Sequence, residues 1–310
     1  MRNAFADEVT KLADKYPDLV VLSGDIGNRL FDKFKERHPK RFYNCGVAEQ
    51  NMTSVAAGMA LAGLRPITYT ITAFATVRCL EQIRVDVCYH HLPVIVVGVG
   101  AGLSYASLGG THHACEEVAM LRALPDMTIV CPGDPLEVRL ALRAAVEWKR
   151  PLYLRLGKKG EPAVHVGTPD FRIGKAIVLK PGSEVCLLGN GTMLAAAAGA
   201  GEVLAKAGVP AEVVSFHTVK PLDEAYLKDA FSRFSTVVVV EEHSRIGGLG
   251  GAVAEWLSEQ PPQRAKLLRL GTDDAFIHEA GEQEHALERL GLTPGGIAAS
   301  VQKFLDPAAR

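Results

Sequence analysis

Two hydrophobic rhythms alternate along the chain. Phe5, Val9, Leu12 and Ala13 recur at helical spacing and predict a first helix ending near Lys15. A short continuous apolar run over 19–22 then reads as a strand, stopped by Ser23-Gly24-Asp25. The same alternation predicts helices near 31–37, from Glu49, and over 78–89, 116–124 and 135–148. Strands fall near 41–44, 66–70, 94–99, 128–131 and 152–156. Strands that are apolar throughout, rather than every second residue, are buried on both faces, so the pattern predicts a parallel sheet covered by helices.

The rhythm breaks over 158–174, where Gly160, Pro162, Gly167 and Pro169 mark a linker. Beyond it, strands near 184–188, 212–216, 237–241 and 267–270 alternate with helices near 193–207, 223–231 and 251–258. The expected architecture is α/β, two open, mainly parallel sheets flanked by helices. One domain covers 1–157 and a smaller one 175–310, both of ordinary domain size.

Composition narrows the classes. Of 310 residues 48% are hydrophobic and 22% charged, with net charge −1, which describes an ordinary soluble globular chain. No Lys/Arg-rich run or basic excess points to nucleic acid. Six scattered cysteines contain no C-x-x-C pair, a pattern of reduced thiols in a cytoplasm rather than of a zinc site. The first sixteen residues alternate charge and apolar positions unlike a signal peptide, and no apolar stretch reaches the roughly 20 residues of a membrane span.

Ligands of open parallel sheets sit beyond the carboxyl ends of the strands. Asp25, the stretches 45–49, 72–74 and 100–112, and Arg155 all follow such ends. Among them is the run GVAEQNM at 46–52, where a strand hands over to a small-residue helix and Glu49 falls in its first turn. Taken alone, an acid there is favoured by the helix dipole by about 1 kcal/mol or less and needs no other role.

The ordered set of motifs changes that reading. Ser23-Gly24-Asp25, GVAEQNM, FATVRCLEQIR at 74–84, Gly110-Thr111-His112, LRALPDMTIVCP at 121–132, HTVKPL at 217–222 and EEHSRIGGLG at 241–250 together resemble the C-terminal half of transketolase, its pyrimidine-binding and C-terminal domains. The resemblance spans nearly the whole chain and implies thiamine diphosphate chemistry. It makes Glu49 the carboxylate that shares a proton with the cofactor's pyrimidine nitrogen, a task suited to a partly desolvated acid whose pKa burial raises. It makes Phe74 the aromatic stacked on that ring and Asp25 an acid near the cofactor. His112 becomes the histidine facing the ketose, with His113 pointing elsewhere, and Arg155 the arginine binding a sugar phosphate, joined by Arg2 and Arg29.

Two positions depart from the family. Leu108 stands where transketolases carry an Asp for a substrate hydroxyl, and Gly100 where they carry a His at the phosphate end; Tyr105 or Ser107 is a candidate replacement donor from the same loop. The ketol-transfer chemistry survives these changes while the usual pentose phosphate comes into doubt. The Gly-rich stretch 247–251 and His243 are expected to pack a turn against a neighbouring domain or subunit, because the dinucleotide fingerprint is incomplete. The G-D-G…N motif that holds the diphosphate through Mg2+ or Ca2+ is missing, since Gly24-Asp25-Ile26 fails at the third place. The resemblance therefore implies a split, cytoplasmic transketolase subunit, active only with a diphosphate-binding partner carrying that motif and meeting its own copy in an α2β2 heterotetramer. The alternatives are the β subunit of a 2-oxoacid dehydrogenase decarboxylase and a 1-deoxyxylulose-5-phosphate synthase-like fragment.

Overall fold

A computed structural model describes residues 1–306 except Asn28, Lys159 and Ala280; the last four residues of the expected second domain lie outside the described residues. Twelve strands follow in chain order. They are β1 (Leu19–Ser23), β2 (Phe42–Asn44), β3 (Arg65–Ile71), β4 (Ile95–Val99), β5 (Thr128–Val130) and β6 (Leu152–Leu156), then β7 (Ile177–Lys180), β8 (Val185–Gly189), β9 (Ala211–Ser215), β10 (Thr218–Lys220), β11 (Thr236–Ser244) and β12 (Lys266–Thr272). They form a seven-stranded sheet, β10-β5-β6-β4-β3-β1-β2, and a five-stranded sheet, β12-β11-β8-β9-β7. All pairs are parallel except β10 on β5 and β7 on β9.

The expected two-sheet α/β architecture is therefore the one found. β1, β4, β6 and β8 are buried at every position, which is why their sequences are apolar without alternation. On one face of the larger sheet the helices Arg2–Lys15 and Pro135–Glu147 bury Phe5, Val9, Leu12, Val138 and Leu142 in one cluster. On the other face the helix Glu49–Leu61 presents Met52, Ala56, Ala57 and Ala60, small enough for close approach to the sheet. That second cluster runs on through Leu121, Cys131, Leu188, Phe216, Phe231 and Trp256, so one apolar core joins both sheets.

Several features were not read from the sequence. β10 lies in the second half of the chain yet pairs with β5 of the first sheet, so the two halves exchange a strand. β7 is an edge strand with alternating burial and too short to register as a buried run. The helix expected over 78–89 is a short turn, Leu80–Gln82, continuing as a π-helix over Ile83–Cys88. Ile83 and Val87, four apart and both buried, satisfy α and π spacing alike, so periodicity does not separate them. The last helix, Pro294–Leu305, begins with Thr293 accepting from the Gly296 N–H and proline in the first turn, a cap signature present in the sequence but not used.

The stretch 158–174 is irregular but anchored. Asp134 caps the helix Pro135–Glu147 through Oδ1, and its Oδ2 accepts the N–H groups of Val164 at 2.9 Å and His165 at 3.2 Å. The His165 ring meets Glu137 Oε1 at 2.6 Å. Burial works against the His165 charge, but the Glu137 hydrogen bond and the nearby carboxylates outweigh it and leave its pKa raised. A raised histidine stabilises fully below the unfolded value of about 6.5, and the contribution is lost as pH climbs through the folded value. His165→Gln should lower stability at pH 5.5 by about 1 kcal/mol, the difference between a charged and a neutral hydrogen bond, and by less at pH 8.5. Urea midpoints at the two pH values test this; a gap that does not narrow with rising pH would contradict it.

Candidate active site

The site assembles at the carboxyl ends of β1, β3 and β4. β1 runs into Gly24, whose N–H donates to the Tyr69 carbonyl at 2.9 Å. A Cβ at Gly24 would stand 2.7 Å from Thr70 Oγ1 and 3.7 Å from Glu49 Oε1, so only glycine lets this turn lie against β3 and the Glu49 carboxylate. Asp25 is exposed; its Oδ1 accepts from Asn44 Nδ2 at 3.0 Å, and Asn44 Oδ1 accepts the Gly46 N–H at 2.9 Å. Gly46, at φ +66°, then turns the chain into the helix that opens with Glu49.

Glu49 is 4% exposed. Its Oε2 accepts from Arg78 Nη1 at 2.8 Å, and the same guanidinium lies 4.3 Å from the centre of the Phe74 ring. Phe74 sits in the single turn Thr72–Ala75 that follows β3. Its ring meets the His112 ring edge-on at 5.3 Å between centres. Glu49, Phe74 and His112, far apart in sequence, are thus joined in one continuous contact chain, with Arg78 as a member that the sequence reading missed. Its place inside the run FATVRCLEQIR, one helical turn after Phe74, was the available signal.

His112 follows a tight turn in which its N–H donates to the Gly109 carbonyl at 2.9 Å; Thr111 Oγ1 lies 3.0 Å from its Nδ1. Burial and the neighbouring His113 lower its pKa, so the imidazole is neutral at pH 7. His113 points elsewhere, as expected: it is buried, and its Nε2 lies 3.3 Å from the Ala106 carbonyl. On the other side of His112 stands Tyr105, with ring centres 6.2 Å apart, and Lys158 Nζ lies 4.8 Å from the Tyr105 ring centre.

Arg155 does not meet its expectation. It is 2% exposed, its Nε donates to Glu117 Oε1 at 2.5 Å, and its Nη2 donates to the carbonyls of Ala114 at 2.9 Å and Glu242 at 3.0 Å. A guanidinium committed to a buried carboxylate and two carbonyls is a structural clamp, not a phosphate ligand. Three residues on, Lys158 is the half-buried cation beside Tyr105. Arg2 and Arg29 line one open cleft together with Gly27, Leu30 and Lys33, and Arg2 Nε is buried without a hydrogen-bond partner. Leu108 is 53% exposed on the same loop as His112.

The motifs of the second half form a seam. Glu241 accepts the N–H groups of Leu249 at 2.7 Å and Gly250 at 2.8 Å, fixing the start of the helix Leu249–Ser258. Glu242 accepts from Leu103 N–H, Thr192 Oγ1 and Gln283 Nε2. Arg122 donates to the Gly247 carbonyl at 2.8 Å, and His243 Nε2 accepts the Ala119 N–H at 3.4 Å. The glycine loop thus packs against the first half of the chain. His217 is stacked on Phe171 at 4.1 Å, and burial pushes its pKa down to about 4. Among the described residues no group of three or more His, Cys, Asp or Glu is placed to hold a metal ion, and no helix is long and apolar enough to cross a membrane.

A buried carboxylate at a helix start, an aromatic ring and a histidine thus meet at one rim of a two-sheet α/β chain. The transketolase pyrimidine-binding domain matches residues 1–161 and the transketolase C-terminal domain residues 174–297. The chain belongs to the transketolase family. It is 36% identical over 306 residues to a putative transketolase C-terminal section of Methanocaldococcus jannaschii, covering 98% of this chain and 95% of that one. It is 38% identical to a 6-deoxy-6-sulfo-D-fructose transketolase subunit of Clostridium sp. (strain MSTE9), covering 99% and 94%. A solved structure of a split-gene transketolase, an inactive β4 tetramer, superposes with TM-score 0.88 at 37% identity, covering 97% of this chain and 96% of that one. The chain is thus a split-transketolase subunit, the reading preferred above over the dehydrogenase and synthase alternatives.

Arg155→Met should cost about 3–5 kcal/mol, because it leaves Glu117 charged and buried without its partner. Chemical denaturation measures it. Unchanged stability with a raised KM for a phosphorylated ketose would return Arg155 to the substrate.

Proposed function

We propose that this chain is the pyrimidine-binding subunit of a transketolase that moves a two-carbon ketol unit from a ketose bearing an anionic end to an aldose. The observation that carries the reading is the buried Glu49 carboxylate, held at a helix start by Arg78 and joined through Phe74 to His112.

The family implies thiamine diphosphate, and the residues fit its aminopyrimidine: a carboxylate for a ring nitrogen and a flat aromatic joined to it through Arg78. Bound, the cofactor supplies the nucleophilic carbon that accepts and releases the ketol unit. Glu49 offers Oε1 to the ring nitrogen, since Oε2 is engaged by Arg78. Phe74 orients the ring, and Asp25 lies at the same rim. The neutral His112 gives and takes a hydrogen bond at the ketose carbonyl or hydroxyl without adding charge. Arg2, Arg29 and Lys158 are the cations for the substrate's far, anionic end.

The diphosphate and its Mg2+ or Ca2+ belong, on this reading, to a partner subunit with the G-D-G…N motif, in a cytoplasmic α2β2 assembly where this chain also meets its own copy. The inactivity of the related β4 tetramer supports a requirement for that partner. Exposed Leu108 in place of an acid, and a relative that acts on a sulfonated ketose, support a donor other than the usual pentose phosphate.

Reconstitution with a diphosphate-binding subunit, thiamine diphosphate and magnesium, assayed against a panel of ketoses, tests the reading. Decarboxylation of a 2-oxoacid with no ketol transfer would contradict it. In that assay Glu49→Ala should lower turnover at least about a hundredfold with unchanged thermal unfolding, as expected for loss of a proton-transferring group; near-normal turnover would remove Glu49 from the cofactor site. Leu108→Asp should shift preference toward ordinary hydroxylated phosphosugars and, at an exposed position, change stability by no more than about 0.5 kcal/mol. An unchanged substrate profile would exclude position 108 from hydroxyl recognition.

A further inference from the structure

Gly100 closes β4 at φ +82°, and its N–H and that of Ala101 both donate to the Leu156 carbonyl, at 2.9 and 3.0 Å. A Cβ at this position would lie 2.0 Å from Tyr105 Cε2 and 2.2 Å from Tyr105 Cδ2. The Tyr105 ring therefore fills the volume that any side chain at position 100 would need. The glycine and the tyrosine are one device: neither a β-carbon at 100 nor an empty site is compatible with the ring where it stands.

The ring is held there by a rigid loop. Leu103 donates its N–H to the buried Glu242 at 2.8 Å, Ala106 N–H donates to the Leu103 carbonyl at 2.8 Å, and Gly102 exchanges both backbone hydrogen bonds with Ala114 at 2.9 Å. Around Tyr105 stand the groups that matter for a long polar substrate. Its ring lies near the edge of the catalytic candidate His112, and Lys158 caps it. Tyr105 thus touches the histidine with its ring edge and carries the Lys158 ammonium over its face.

We propose that Tyr105 is the specificity-determining residue for the part of the ketose beyond the transferred two-carbon unit. Its ring forms the wall between His112 and Lys158, and its face holds the Lys158 ammonium in place for a phosphate or sulfonate at the end of the sugar chain. A cation over an aromatic face is attracted by the ring quadrupole, which limits where the flexible lysine stem carries its charge. The inference deepens the proposed ketol transfer and rests on it.

The test uses the reconstituted complex of this chain and its diphosphate-binding partner, with three donors: fructose 6-phosphate, 6-deoxy-6-sulfofructose and fructose. For wild type, Tyr105→Ala and Tyr105→Phe, kcat/KM is measured for each donor, and dissociation constants are measured by calorimetry. The anionic-to-neutral ratio should fall at least about tenfold in Tyr105→Ala, the size of discrimination that one site contact supplies, and stay near wild type in Tyr105→Phe, which keeps the ring. Whether phosphate or sulfonate shows the larger fall identifies the anion. A ratio unchanged in Tyr105→Ala, or a fall as large in Tyr105→Phe, would overturn the proposal. Because binding is read separately, a wild-type complex that transfers no ketol unit contradicts the proposed function, while an unaltered binding ratio contradicts the role of Tyr105.

Discussion

The buried ion pair between Arg155 and Glu117 is the constraint on which the rest depends. Arg155 comes from the centre of the larger sheet, Glu117 from the helix after the loop over 100–114, and the carbonyls that share the guanidinium come from the end of that loop and from β11 of the smaller sheet. One charged group thus ties β6 to the helix, the loop and the smaller sheet at a single point. Taking both charges out of water is costly; the Nε–Oε1 contact and the two carbonyls offset part of that cost, while Glu117 Oε2 is buried without a hydrogen-bond partner. What it contributes is position: the loop that carries Tyr105 and His112 is fixed to both sheets.

Glu242 completes that constraint from the other side. Its carboxylate takes the Leu103 N–H at the start of the loop, while its carbonyl takes Arg155 at the end. One residue of the second half of the chain therefore holds the start of the loop directly and its end through Arg155. This gives the C-terminal half a physical role in placing that loop. The continuous apolar core and the exchange of β10 into the first sheet make the same point in packing terms: the two halves form one mechanical unit. Glu49, by contrast, is placed within the first half of the chain, by a turn through Gly24 and Gly46, the first turn of a helix and the ion pair with Arg78.

The contrast explains what could be read from the sequence. The strands were legible because burial on both faces leaves continuous apolar runs, whereas Glu49, Phe74 and His112 stood out only through the ordered motifs that resemble transketolase; the structure links the three through Arg78. Arg155 was misread because its motif position says nothing about a carboxylate 38 residues earlier or a carbonyl 87 residues later. A planar guanidinium suits a phosphate and a buried clamp equally well, and only burial separates the two. Lys158 was passed over for the complementary reason, as an ordinary lysine at the edge of a linker. The link between Gly100 and Tyr105 is a steric relation across five residues of irregular loop, where no periodicity applies.

The central claim is that this chain carries half of a cofactor site, with Glu49 for the pyrimidine and nothing for the diphosphate. Equilibrium binding of thiamine diphosphate, followed by calorimetry with magnesium present, addresses it directly. Saturable binding should appear when this chain is mixed with its diphosphate-binding partner and be absent with this chain alone at the same concentration. Tight, stoichiometric binding to the isolated chain would contradict the claim.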